Sequence, residues 1–358
     1  MEESSRARIR AIKSRVIAML EERRALDDAS STVSPSKFWS DVCSHFDYML
    51  GLPEEYFVKL RLHTYHLTGD IYQTYLFGDA QYFRSTNKVD VLADGVPSTY
   101  VLNEPEGGIG FRYDDGRYLS SDILRFQRVV NTLYRYGILP QLSTLSGRRA
   151  RILEIGAGYG GLAHHISNIC KNTTYVVVDL PETLLFASSY LSLLNPHKRV
   201  YLYAREDFDE LMKPGATESY DFVLIPNYRL NSLSRIGFDL VINVDSLQEM
   251  RTSQAETYLE FICRTCTGEF YSWNKDRNPH NPDLSDLSDL LRRRFDVREI
   301  PEPNVGTPVP KLLSKARLRR IVKRIAILTG LLDRTVLGSR DPPAREYLCR
   351  PFGPHGQS

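Results

Sequence analysis

Residues 150–169 read ARILEIGAGYGGLAHHISNI, and this stretch decides the fold. Its opening is a short apolar run of strand length. Glycines follow, and Leu162 to Ile169 have helical spacing. A strand that passes through a glycine-rich turn into a helix is the nucleotide-binding unit of parallel α/β sheets. Glycine serves there because it turns the backbone tightly and puts no Cβ in the way of a ligand. Asp179 ends the next apolar run, TYVVVDL, 25 positions after Glu154. A carboxylate in that place can accept hydrogen bonds from both hydroxyls of a ribose. The expected cofactor-binding residues are Glu154, Gly156, Gly158, Gly160, Asp179 and Leu180, with Asn243 on a later strand.

The turn alone leaves two cofactors open. Gly156, Gly158 and Gly161 satisfy the dinucleotide pattern GxGxxG. Glu154 argues the other way, because a carboxylate beside the turn opposes a pyrophosphate and favours a cation. S-adenosylmethionine carries a sulfonium and an ammonium and no phosphate, so it is the preferred cofactor. An NAD-dependent oxidoreductase and a non-catalytic binding scaffold remain the alternatives.

Downstream, strand-like and helix-like segments alternate. PETLLFASSYLSLL reads as a helix with proline in its first turn. VYLY, DFVLIP, FDLVINV and EFYSW read as strands. Helices are expected at about 252–264 and about 282–293. FDVREI and REYLCR close the series as a possible antiparallel pair, with residues 301–344 between them. This grammar predicts a mostly parallel sheet flanked by helices, an α/β Rossmann-like domain over 121–358. A terminal antiparallel pair is the class I methyltransferase ending, with strand order 3-2-1-4-5-7-6.

Upstream, residues 1–120 read as a helical region with a loop or hairpin segment near its end, suited to substrate or oligomer contacts. Ile9, Ile12, Val16, Met19 and Leu20 fall on one helix face. Ser36 is a candidate cap for a second helix, and a third is expected over about 53–77. Ser121 and Asp122 precede an amphipathic helix carrying Ile123, Leu124, Phe126, Val129, Val130 and Leu133. Residues 311–324, KLLSKARLRRIVKR, hold seven Lys or Arg within an expected insertion at about 305–340. The plain reading is a solvated amphipathic helix; the sharper ones are contact with an anionic glycan or nucleotide-sugar, or weak contact of 311–325 with a membrane surface.

Composition excludes several classes. The chain has 358 residues, 42% hydrophobic and 25% charged, which is ordinary for a globular protein and unlike a disordered chain or a fibre. A net charge of +2 gives no support for nucleic-acid binding. No apolar run reaches the 18 residues expected of a transmembrane helix. Five cysteines do not resemble a disulfide framework, and Cys263-x-x-Cys266 lacks the second pair of a zinc site. A cytoplasmic protein is expected; a homodimer is compatible with the sequence.

LEIGAGYGGLA, VVVDLPETLLFASSYLS and FDLVINVDSLQEM followed by FYSWNK resemble the bacterial sugar O-methyltransferase family. The likeness runs over about 100–300 and is most specific in VDLPETL and QEM. It implies a class I fold, S-adenosylmethionine, and methyl transfer to a sugar hydroxyl of a small molecule or glycan. The chain departs from that family in carrying Asp245 and Leu247 before QEM.

Transfer from a sulfonium is an in-line displacement that needs the acceptor oxygen held at attack distance. The sugar hydroxyl is a weak acid and needs a base or a metal. Acceptors bind near the carboxyl ends of the strands. That places Asp245 and Glu249 as expected catalytic carboxylates, with helix capping as the structural alternative for both. Gln248, Tyr271 and Asn274 are the expected substrate contacts. His164 and His165 form a second catalytic pair on the helix after the glycine turn. A Mg²⁺ held by Asp245 and Glu249 is conceivable but not favoured, because no third carboxylate is evident.

Overall fold

The computed structural model describes residues 1–26, 34–278, 281–301 and 343–352. The sheet has eight strands: β1 (Ala150–Ile155), β2 (Thr173–Asp179), β3 (Val200–Leu202), β4 (Phe222–Pro226), β5 (Phe238–Val244), β6 (Cys266–Lys275), β7 (Phe295–Ile300) and β8 (Ala344–Pro351). Their order is β3-β4-β2-β1-β5-β6-β8-β7. β3 to β6 pair in parallel, while β8 is antiparallel to both β6 and β7. Without the short edge strand β3, this is the expected class I order, with the last strand inserted beside β6. β1, β2, β4 and β5 are buried almost throughout. That is why they read as continuous apolar runs: a parallel strand is covered on both faces.

Helices flank the sheet. They are α1 (Glu3–Ala25), α2 (Lys37–Cys43), α3 (Ser121–Arg135), α4 (Gly161–Ile169), α5 (Pro181–Leu194) and α6 (Thr252–Thr265), with several shorter turns. α5 is buried on nearly every side, and a helix apolar all round needs cover on all of them. α1 supplies part of it, through the Ile9, Ile12, Val16, Met19 and Leu20 face that its spacing predicts. Polar contacts fix the docking. Arg8 donates to the Ser192 carbonyl at 2.9 Å and Arg15 to that of Leu202 at 2.6 Å. Arg23 pairs with Glu182. Glu22 accepts the Tyr203 and Tyr228 hydroxyls at 3.1 and 3.0 Å. The apolar residues of α1 and of the sheet belong to one continuous core.

The third N-terminal helix is not continuous. Residues Glu54–His63 form a 3-10 segment broken at Lys59, followed by short helices Tyr65–Thr68 and Gln73–Phe77. Gly69, at φ 72°, ends the first of these. α3 is capped by Ser120, its Oγ accepting from Ile123 N at 3.2 Å. Phe111–Arg112 and Tyr118–Leu119 form the small hairpin ahead of it. The helix expected at 282–293 shortens to Leu287–Arg292. Asn281 donates to the Gln248 and Met250 carbonyls, and residues 282–286 run on from it as turn and loop. All five cysteines are free. No helix among the described residues is long and apolar enough to cross a membrane. The expected basic insertion, with 311–325, lies outside the described residues.

Candidate functional site

A cleft opens at the carboxyl ends of β1, β2 and β5, with about 1040 Å³ of atom-free space that includes open solvent. The glycine turn forms one wall. Gly156, Gly158 and Gly160 have φ of 76°, 57° and 83°, the left-handed region that favours glycine. Their surroundings differ. A Cβ on Gly156 would stand 2.2 Å from Ser246 Oγ, so this glycine lets the turn close on the loop after β5. A Cβ on Gly158 would meet nothing within 4 Å, because that position borders the open cleft. Gly160 packs against Leu191 and Ala187 of α5 and lies outside the cleft lining.

Asp179, at the end of β2, is tied to the turn. Its Oδ2 accepts from Gly158 N at 3.0 Å and its Oδ1 from Leu180 N at 2.8 Å. Burial pushes the carboxyl up to about 6, against the pull of these bonds. Glu154 lies deeper. It accepts the Tyr175 hydroxyl at 2.9 Å, and burial raises it to about 8. It is therefore mostly neutral at pH 7. The negative charge expected of Glu154 beside the turn is carried instead by Asp179.

Asp245 follows β5 with φ 59°; Lys88 is the only other non-glycine residue with positive φ among the described residues. Its backbone is held by an N–H bond to the Trp273 carbonyl on β6 at 2.9 Å. Strain maintained by its surroundings is characteristic of functional positions. The carboxylate faces Arg125 of α3, with Oδ2 3.6 Å from Nη1. Burial raises its pKa while Arg125 and Lys275 pull it down. Neither the following 3-10 turn nor α6 takes a cap from it: the N-cap residues are Ser246 and Arg251. Glu249 accepts the Trp39 indole N–H at 2.8 Å, and burial raises it to about 8. The two carboxyls thus differ, Asp245 beside a cation and Glu249 largely protonated at neutral pH.

Other expected site residues lie outside the cleft lining. Asn243 is fully buried, donating to the Ile155 carbonyl at 2.8 Å and accepting from Leu247 N at 3.1 Å and Asn274 Nδ2 at 2.9 Å. Asn274 in turn accepts from Gln248 N at 3.3 Å, and Gln248 Oε1 from Lys275 N at 2.6 Å. This web shapes the β5–β6 ends from behind and commits Asn274 and Gln248 Oε1 to protein partners. Tyr271 is fully buried and donates to Glu346 at 2.7 Å, beside the Arg128–Glu346 pair at 2.9 Å. The histidines also point elsewhere. His164 meets Asn195 Nδ2 at 3.1 Å, and His165 packs near Phe126 with its Nε2 unpartnered. Burial lowers them to about 4 and about 3. Among the described residues no group of three His, Cys, Asp or Glu could hold a metal ion.

Sequence reasoning missed several lining residues. Trp39, Asp122, Arg125, Phe126, Asn227 and Tyr258 all border the cleft. Asp122 and Phe126 had been legible only as helix start and apolar face. Arg125 gave no signal, being one polar residue of an amphipathic helix. Beneath Asp122 lies a buried ion cluster. Arg61 bonds Asp122 Oδ2 at 2.8 Å, Glu104 at 2.9 Å and Thr64 at 2.7 Å, with its guanidinium 4.1 Å from the Tyr159 ring centre.

No protein-family model matches the chain, and no curated protein matches it. Solved structures do resemble it weakly. The S-adenosylmethionine-dependent methyltransferase SibL is 14% identical over 64% of this chain, with TM-score 0.32. The chain spans only 58% of SibL's length. An O-methyltransferase family protein from Burkholderia thailandensis is 13% identical, over 77% of this chain and 71% of that one, with TM-score 0.30. The N-methyltransferase NodS from Bradyrhizobium japonicum WM9, in complex with S-adenosylhomocysteine, is 15% identical, over 63% and 93%, with TM-score 0.32.

Proposed function

We propose that the chain is an S-adenosylmethionine-dependent O-methyltransferase acting on a hydroxyl of a sugar, free or within a glycan. The observation that carries this reading is the strand order. β8 lies antiparallel between β6 and β7, the class I methyltransferase ending, whereas the dinucleotide-binding order 3-2-1-4-5-6 has no such inserted strand. The cleft's own residues fit the cofactor. Gly158 leaves open space where a Cβ would stand, and Asp179 offers carboxylate oxygens beside it.

S-adenosylmethionine, when bound, supplies an electrophilic methyl group. The chain's part is to hold, orient and deprotonate. Asp179 receives ribose hydroxyls. Asp245 takes the acceptor proton as the oxygen–carbon bond forms and the carbon–sulfur bond breaks. Burial raises the Asp245 carboxyl, and Arg125 pulls it back down. Trp39 and Glu249 close one side of the cleft. The sugar acceptor draws its support from the sequence resemblance and from these polar walls.

Thermal unfolding with S-adenosylhomocysteine and with NAD separates the cofactors. A rise with the first alone is expected; a rise with NAD alone rejects the reading. Tritiated methyl transfer into sugar nucleotides and cell-envelope extracts then tests the acceptor, and label appearing only in amines would exclude O-methylation.

A further inference from the structure

The wall formed by α3 holds an ion arrangement that cofactor binding does not use. Asp122 is completely buried and lines the cleft. Its Oδ2 is committed to Arg61 at 2.8 Å. Its Oδ1 has no hydrogen-bond partner and no solvent. Leaving a buried carboxylate oxygen unsatisfied is costly, so such an atom beside a ligand cleft marks a place where a ligand donor fits. A second cation, Arg125, lies one turn along the helix. Its Nη1 is 3.9 Å from Asp122 Oδ1 and 3.6 Å from Asp245 Oδ2. Both separations exceed hydrogen-bond length. Arg125 is thus flanked by two carboxylates and hydrogen-bonded to neither of them, with its side chain one-third exposed.

We propose that Asp122, Arg125 and Asp245 form the acceptor subsite, and that it selects a vicinal diol. The inference rests on the methyltransferase reading. A hydroxyl group needs an acceptor for its proton and a donor for its oxygen. Two adjacent hydroxyls need two acceptors around a shared donor, which is the order carboxylate, guanidinium, carboxylate along this wall. An oxygen about 2.8 Å from both Nη1 and Asp245 Oδ2 sits at the apex of a triangle on their 3.6 Å separation. That hydroxyl accepts from Arg125 and directs its proton at Asp245, so it is the one methylated. The neighbouring hydroxyl donates to Asp122 Oδ1 as the flexible Arg125 side chain turns toward it. Arg61 holds Asp122 in place from behind, which fixes the position of the second acceptor. A monohydroxylic acceptor would leave Asp122 Oδ1 unsatisfied, and buried polar groups left unpaired discriminate strongly.

The test uses the full chain, tritiated S-adenosylmethionine and the methyl glycosides of rhamnose, mannose and galactose. Each glycoside is paired with its monodeoxy analogues, which lack one hydroxyl of the diol. Label is expected in at least one diol, with kcat/KM falling about tenfold or more when the neighbouring hydroxyl is removed. Arg125→Gln, on a partly exposed side chain, should bind S-adenosylhomocysteine as wild type does and lose the preference for the diol. Asp122→Asn should lose it as well, with circular dichroism reporting whether it folds. Equal transfer to diol and monodeoxy partners overturns the inference. So does an unaltered preference in Arg125→Gln, or absence of label in every diol while S-adenosylhomocysteine binds the wild type. Absence of S-adenosylhomocysteine binding would instead remove the methyltransferase reading on which the inference rests.

Discussion

Asp245 can be perturbed so that strain and chemistry separate. Its φ of 59° lies where a Cβ crowds the backbone. Asparagine and glycine tolerate this region; alanine pays about 1–2 kcal/mol for it. The contact with Arg125, at 3.6 Å and a third exposed, contributes at most about 1 kcal/mol. Asp245→Asn should therefore unfold within about 1 kcal/mol of wild type. Asp245→Gly should be more stable than Asp245→Ala by roughly 0.5–1 kcal/mol, the strain relieved less the cost of glycine's freedom in the unfolded chain. Turnover should follow a different pattern. All three variants lack the proton acceptor, so all should lose about 10²–10⁴-fold in kcat. S-adenosylhomocysteine affinity should stay within a few-fold, because Asp179 and the glycine turn are untouched. Urea melts, calorimetric titration and tritium transfer give the three readouts. Near-wild-type turnover in Asp245→Asn would refute the base assignment. Equal stabilities for the Gly and Ala variants would refute the strain argument.

Three further outcomes are expected. Gly158→Val should fold, though destabilised by its φ of 57°, and should lose S-adenosylhomocysteine binding because the side chain projects into the cleft; calorimetry showing wild-type affinity would contradict this. Asp179→Ala should weaken the same binding by roughly 1.5–3 kcal/mol, and an unchanged dissociation constant would remove the ribose role. Glu154 is raised in the folded state to about 8, so its contribution is fully present below the ordinary carboxyl value and is lost as pH rises toward 8. Glu154→Gln should accordingly match wild type near pH 4 and exceed it in melting temperature at pH 8 to 9; parallel stability curves would show that Glu154 ionises freely.

The sheet was legible because each buried parallel strand writes its burial as an unbroken apolar run. TYVVVDL and FDLVINV became β2 and β5 nearly to the residue, and FDVREI and REYLCR paired as their position at the end suggested. The glycine turn and Asp179 were legible for the same local reason: the turn needs left-handed backbone, and the carboxylate sits one strand away. The helix over 53–77 misled, because apolar residues at mixed spacing do not make one buried stripe.

Side-chain commitments were decided only by the tertiary structure. Asn243, Gln248, Tyr271 and Asn274 have the chemistry of ligand contacts, yet each finds protein partners across strands or loops far apart in sequence. Asp122 and Arg125 looked like ordinary residues of an amphipathic helix until α3 met Asp245 after β5 and Arg61 was brought from another segment. Local backbone preference and apolar periodicity act within a few residues, so the sequence by itself determines strands, turns and the order of elements. Desolvation and hydrogen-bond pairing depend on which groups meet across the fold, so only the folded chain determines which polar groups are spent on structure and which remain for a ligand.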